Sequence, residues 1–433
     1  MKSITNKNDF WLYGYYILML AVYLSWDSSE SVPGPLLRLA YFGAVLVPVF
    51  FWRHTWLPAV IVLFNSLALN GYGSSYLPAV YYTYIAGIIV GLFFMRNDKR
   101  ERLEIPVCLL LIVFISTIRN IFDGLSIERV TTVGFVTILL LLGVCKNDLY
   151  QRTIFEQSLI IISLVLSLSF FLYGGNHTSN VVGYDEERTS FSDINYVACI
   201  IGFGVLLTMV KLLNEKHLSF LARLFYIVVV FLSVVSLFLN ASRGSILALG
   251  LGTAIIIFMS RVSVWWKVFY GIFLAVFLVF LYTNHYMDLL FYRITFDDTG
   301  RSNIWLAKWK AFMQSDILTG FLVGHGFTGG RLLGSKYGGV AFHNDFLAFF
   351  MEYGIIGLIP FLLFFFLPLI KSNRLNRDKV LAYTCYMFIV CLTLEPYAAG
   401  RLPFYAFWIY TYWLSKSNLN EIGSYEKNIV RSK

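Results

Sequence analysis

Charge is what this sequence has least of. Asp, Glu, Lys and Arg make up 14% of it, against about a quarter in an ordinary soluble chain. So few charges cannot clothe a water-facing surface for 433 residues, and a string of soluble domains is excluded. Cysteine is also sparse. Its five copies (Cys108, Cys145, Cys199, Cys385 and Cys391) lie in or beside apolar segments. Their spacing fits neither a disulfide framework nor a metal site, so they read as small core residues. There is no phosphate-binding P-loop and no dinucleotide-type glycine pattern, which leaves a soluble nucleotide-driven site unsupported. The first apolar run ends in Ser25-Trp26-Asp27 without a small-residue cleavage motif, so it is expected to be a retained helix rather than a removed signal peptide.

What fills the chain instead is apolar sequence: 58% hydrophobic residues and a mean hydropathy of +0.69. Roughly 20 apolar residues cross a bilayer as one helix. Apolar runs fall near 10–26, 35–52, 55–71, 76–95, 105–122, 130–145, 154–173, 195–213, 219–240, 245–260, 264–283, 345–370, 379–395 and 402–415. The expected fold is therefore all-α, a polytopic integral membrane helix bundle of about 14 (12–14) transmembrane helices forming a single domain over residues 1–433.

Lys and Arg orient these segments, because they crowd cytoplasmic loops. They cluster in alternate loops, as in Arg96, Lys99, Arg100 and Arg102, then Lys211 and Lys216, then Lys371, Arg374, Arg377 and Lys379. The intervening loops are poor in them. This places both termini in the cytoplasm and the long excursion 284–344 outside. It also makes the net charge of +9 largely an orientation signal, so no nucleic-acid partner is expected. The aromatic content of 18% fits an interfacial belt, and aromatic rings also stack on sugars; composition leaves both readings open.

Residues 284–344 carry the chemistry-bearing side chains. Arg301 opens an expected helix, Ser302 to about Gln314, in which Trp305, Trp309 and Phe312 recur at helical spacing while Lys308 and Lys310 take other faces. Such a helix is expected to lie along the outer interface with its rings toward lipid. The free N–H groups at its start favour an anion, and Arg301 adds to them. Arg243, in Ala241-Ser242-Arg243-Gly244, is either a snorkelling side chain or a phosphate ligand, since the guanidinium fork matches phosphate oxygens. Gly324-His325-Gly326 permits positive φ and close backbone approach to a ligand, and His325 reads more simply as a turn residue. His343-Asn344-Asp345 precedes a long apolar run. It is either a helix-capping cluster or the site of a general base, because the positive helix end disfavours the imidazolium. Glu352, about two and a half turns further on, needs an Arg or a polar cavity beside it. Gly354 and Gly357 would allow tight helix contact. Arg38 lies within an apolar run with no nameable partner, and Arg401 stands near Glu395 and Tyr397. Asp297-Asp298 reads as a solvated pair, and no metal site is expected.

In this order, Ser242-Arg243-Gly244, Gly300-Arg301 with Trp305, Gly324-His325-Gly326-Phe327, His343-Asn344, and Glu352-Tyr353-Gly354 with Gly357-Leu358 resemble the O-antigen polymerase and ligase superfamily (Wzy polymerases and WaaL ligases). The resemblance covers roughly residues 240–370. An upstream element of that family is altered here: Arg188-Thr189-Ser190 and Ile194-Asn195 have Ser190 where Gly is usual and Ile194 where Pro is usual, which weakens the case for Arg188. The resemblance implies a cofactor-free, metal-independent glycosyl transfer at the outer face of a bacterial cytoplasmic (inner) membrane. The donor is an undecaprenyl-diphosphate-linked oligosaccharide. The expected product is a surface polysaccharide, O-antigen (lipopolysaccharide) or capsule. Arg243 and Arg301 would hold the diphosphate and His343 would act as base, with Arg188, His325, Glu352 and Arg401 in support. The implied partners are membrane lipid and a chain-length regulator protein. The alternatives are an O-antigen ligase acting on lipid A core and, more remotely, a lipid-linked oligosaccharide transporter; no clear internal repeat of the transporter kind is visible.

Overall fold

The computed structural model describes residues 106–122, 130–144, 149–173, 194–214, 218–240, 242–259, 263–285, 287, 301–314, 317–326, 342–399 and 401–417. The four expected spans before residue 105, Arg38, Arg188, Cys145, Asp297-Asp298 and both termini lie outside the described residues, as does the side chain of Arg301.

All elements among the described residues are helical. They are α1 (Val107–Phe122), α2 (Val130–Val144), α3 (Leu149–Tyr173), α4 (Ile194–Asn214), α5 (Phe220–Asn240), α6 (Arg243–Met259), α7 (Val264–Thr283), α8 (Arg301–Gln314), α9 (Ile317–Val323), α10 (Asp345–Ile370), α11 (Arg377–Thr393) and α12 (Leu402–Lys416). Each apolar run expected beyond residue 105 is a helix, and α8 begins at Arg301 as the polar sequence suggested. Four helical stretches are long and apolar enough to cross a membrane: Gln151–Leu168, Asn195–Asn214, Phe220–Leu239 and Asp345–Ile370. That is the character of an integral membrane helix bundle.

The bundle centres on α4, α10, α11 and α12. Without a strong apolar drive between helices in lipid, association depends on close packing, and here large rings interlock. Phe203 stacks on Phe407 at 4.4 Å between centroids, Phe349 on Phe361 at 3.9 Å, and Phe364 on Trp408 at 4.0 Å. Much of the aromatic content is thus core rather than interfacial belt. Cys199 and Cys391 are buried among these helices, consistent with a space-filling role.

Side-chain bonds fix which helix ends meet. At one end, Lys211 near the end of α4 pairs with Glu156 near the start of α3 at 2.7 Å, and Tyr410 of α12 donates to the same carboxylate. Asn376, just before α11, donates to the Leu414 carbonyl at 3.2 Å. At the opposite end lie the starts of α4, α6, α10 and α12 and the end of α11. Ser242 Oγ donates to Asn195 Oδ1 at 3.3 Å, and a side chain at Gly244 would run into Thr393. Asn344 Nδ2 donates to the Leu392 carbonyl at 3.4 Å.

Within the excursion 284–344, the described helices α8 and α9 fold back on the bundle, and α9 packs along α10. There α10 breaks: Gly354 sits at φ 63° and ψ −164°, inside an otherwise continuous helix. Gly324, at φ 72°, ends α9 against this break. A Cβ on Gly324 would strike the backbone of Glu352 and Tyr353, and one on Gly354 would strike Leu322 and Gly324. The His325 amide donates to the Met351 carbonyl at 2.9 Å across the contact. The positive φ expected of Gly324 is present, but the close approach serves α10 rather than a ligand.

Candidate active site at the gathered helix starts

Arg243 is the first residue of α6 and is half-buried. Its place follows from its neighbours. Ser242 bonds Ser245 at 2.9 Å and reaches Asn195 at the start of α4, while Gly244 lets the α6 backbone lie against Thr393. The start of α6 is therefore held at the end of α11, with the Arg243 side chain half-buried there.

Leu392, next to Thr393, receives the Asn344 amide. Asn344 is the N-cap of α10, and its Oδ1 accepts from the Leu347 amide at 3.0 Å, as short polar side chains do at helix starts. Asp345, fully buried, accepts from the amides of Tyr397 at 3.1 Å and Ala398 at 2.8 Å. Of the three residues in the capping reading, only Asn344 caps α10, while Asp345 turns its carboxylate to the segment between α11 and α12. His343 is half-buried and at φ 52°, a left-handed conformation uncommon for a residue with a Cβ.

Phe342 connects this turn to α8. Its carbonyl accepts from Trp305 Nε1 at 2.7 Å, and its amide donates to Glu395 Oε2 at 3.2 Å. Lys308 Nζ lies 4.6 Å from the centre of its ring. Trp305 is one turn beyond Arg301, so the start of α8 belongs to the same end of the bundle as Arg243 and His343.

The rings of α8 divide. Phe312 is buried, while Trp309 remains exposed on one side and stacks on Phe312 at 5.7 Å and on Phe350 of α10 at 6.3 Å. Lys308, expected on another face from the ring stripe, is fully buried against Phe342. Lys310 is exposed. Between α8 and the first turns of α10 runs an open groove of about 550 Å³, lined by Trp305, Leu306, Trp309, Phe346, Leu347 and Phe350, with Asn344 its polar exception.

The supporting residues divide. His325 packs edge-on against Phe312 at 5.3 Å beside Gly320, as a turn residue joined to the bundle. Glu352 is fully buried at the α9–α10 contact, two residues before the break. Arg401 caps α12 with its guanidinium 4.8 Å above the Tyr196 ring, at the start of α4 and so at the same end as Arg243. Tyr397 lies between α11 and α12; burial pushes its phenol well above the usual value, keeping it a donor, here to the Phe404 carbonyl at 3.3 Å.

Sequence reasoning missed Glu395 and Lys308 as structural partners of the His343 turn, and took Asp345 for a cap where it bonds across the fold. A signal existed: two carboxylates and a lysine flanking apolar runs are costly unless matched, and their partners lie across the fold. Chemically, the helix starts that meet at this end, with Arg243 and Arg401 beside them, carry partial positive charge of the kind that suits an anion. Among the described residues no cluster of His, Cys, Asp and Glu suits a metal ion. Comparison with models of known protein families and with curated proteins finds no match to this chain.

Proposed function

We propose that this protein polymerises undecaprenyl-diphosphate-linked oligosaccharide repeat units into a surface polysaccharide at the outer face of a bacterial inner membrane. The observation that carries the reading is the gathering of helix starts. Arg243 at the start of α6, Arg301 at the start of α8 and His343 before α10 all belong to one end of the bundle.

The chemistry then runs as follows. An acceptor sugar hydroxyl attacks the anomeric carbon of the donor, forming a new C–O bond as the bond to diphosphate breaks. The electron pair leaves with the diphosphate, whose growing charge is met by the guanidinium groups and helix starts, the kind of preorganised stabilisation that lowers such barriers. The hydroxyl proton passes to the imidazole of His343. Because the donor arrives activated, no nucleotide is consumed. Arg401 adds positive charge at the rim, while His325 and Glu352 hold the α9–α10 contact.

Genetic replacement tests the reading and separates it from its neighbours. Loss of a polymerase leaves lipid A core, or the carrier lipid, bearing a single repeat unit; loss of a ligase strands long polymer on its carrier; loss of a transporter leaves repeats on the inner face. The expected result for Arg243→Ala, at wild-type abundance in the membrane, is single repeats on the outer face. Long polymer in that strain overturns the assignment.

A further inference from the structure

His343 adopts φ 52°, a left-handed conformation that a residue with a Cβ takes only against a steric cost. Such a conformation persists only where neighbours over-determine it, and here they do. Before it, Phe342 is held at three points: its amide by Glu395 Oε2 at 3.2 Å, its carbonyl by Trp305 Nε1 at 2.7 Å, and its ring beneath Lys308 Nζ at 4.6 Å. Phe342 is itself fully buried. After it, Asn344 is tied to α11 through the Leu392 carbonyl, and the Asp345 carboxylate takes two amides from the segment between α11 and α12. Three separate stretches of chain, α8, the end of α11 and the α11–α12 connection, therefore converge on the residues flanking one histidine.

We propose that Glu395 and Trp305 are positioning residues that clamp Phe342 and thereby force His343 into its left-handed conformation, fixing where its imidazole points. Neither touches the reacting atoms; both act through the backbone of Phe342. The inference rests on the reading of His343 as the base only for its catalytic consequence, since the clamp itself is a matter of backbone geometry.

Two measurements on the purified full-length protein in nanodiscs decide it. The first is thermal melting of His343→Gly and His343→Ala, each in the wild-type background and with Glu395→Ala. A forced left-handed turn makes the glycine variant melt higher than the alanine variant, and removal of the clamp shrinks that gap by about half or more. Equal melting of the two variants, or a gap unchanged by Glu395→Ala, overturns the proposal. The second is steady-state transfer from a lipid-diphosphate-linked repeat unit by Glu395→Ala and Trp305→Phe. Displacing the base lowers kcat roughly tenfold to a hundredfold with KM changed less than about twofold, and Glu395→Gln, whose amide oxygen still accepts from Phe342, regains most of the loss. Wild-type kcat in both Glu395→Ala and Trp305→Phe overturns the positioning role. If the wild type transfers nothing, the polymerase reading fails and the melting cycle alone decides the clamp.

Discussion

On the proposed reading, the Arg243 guanidinium, a fixed positive charge on the first residue of a helix, and the amides of that turn act on one anion. Removing one such stabilising group typically costs about a hundredfold to a thousandfold in rate. Arg243→Ala is expected to show a loss of that size in polymer formed per unit of membrane-inserted protein. Arg243→Lys keeps the charge but not the planar two-pronged geometry, and should recover only part of it; full recovery would argue for a point charge without directed bonds. Asp345 tests a structural role at the same scale. Its two accepted amide bonds are buried, and Asp345→Ala leaves those donors unmatched, at about 1–3 kcal/mol each, which a lowered melting temperature should report. The sequence made Arg243, Arg301 and His343 visible because charged or titratable groups stand out against so apolar a background. Lys308 and Glu395 were equally visible as letters, but their meaning lies in Phe342, a residue with no distinguishing side-chain chemistry that touches both.

At the scale of elements, the α9–α10 contact is built from two backbones pressed together. Gly324 at φ 72° and Gly354 at φ 63° each occupy space the other needs. Alanine at either position adds the left-handed penalty, about 1–2 kcal/mol, to a clash with backbone that has nowhere to move. Each single variant is expected to lower the melting temperature by several degrees. The double variant should fall short of the sum, since one displaced contact answers for both; a fully additive result would mean that the two glycines serve separate contacts. The major helices could be read from apolar runs because length and hydropathy are local properties. α9 could not: Ile317–Val323 spans seven residues around a glycine, and it is shaped by the break in α10 more than by its own sequence. The burial of Phe312 and Lys308 could not be read from α8 for the same reason, because a stripe of Trp305, Trp309 and Phe312 looks alike whether lipid or another helix covers it.

Across the whole molecule, an aromatic core separates two polar ends of different kinds. One end holds Arg243, His343 and Arg401. The other holds the Lys211–Glu156 pair, with Tyr410 on the same carboxylate and Arg152 donating to the Trp413 carbonyl at 3.4 Å. These bonds tie α3, α4 and α12 together, and breaking one partner of a buried pair costs about 3–5 kcal/mol, less where water still reaches it. Glu156→Gln is therefore expected to reduce the amount of folded protein while leaving transfer per folded molecule at the wild-type value; a specific loss of rate at normal abundance would mean that this end takes part in the reaction. The Lys- and Arg-rich loops of the sequence adjoin these same helix ends, as expected of a charge bias that acts segment by segment along the chain. The central claim is that guanidinium groups at gathered helix starts hold a departing diphosphate while His343 takes a proton. Its most direct test is incubation of the purified protein in nanodiscs with a lipid-diphosphate-linked repeat unit, without added metal or nucleotide, followed by sizing of the glycans. The wild type is expected to give a ladder of polymers, and Arg243→Ala and His343→Ala only single repeats. A ladder from either variant, or none from the folded wild type, rules the mechanism out.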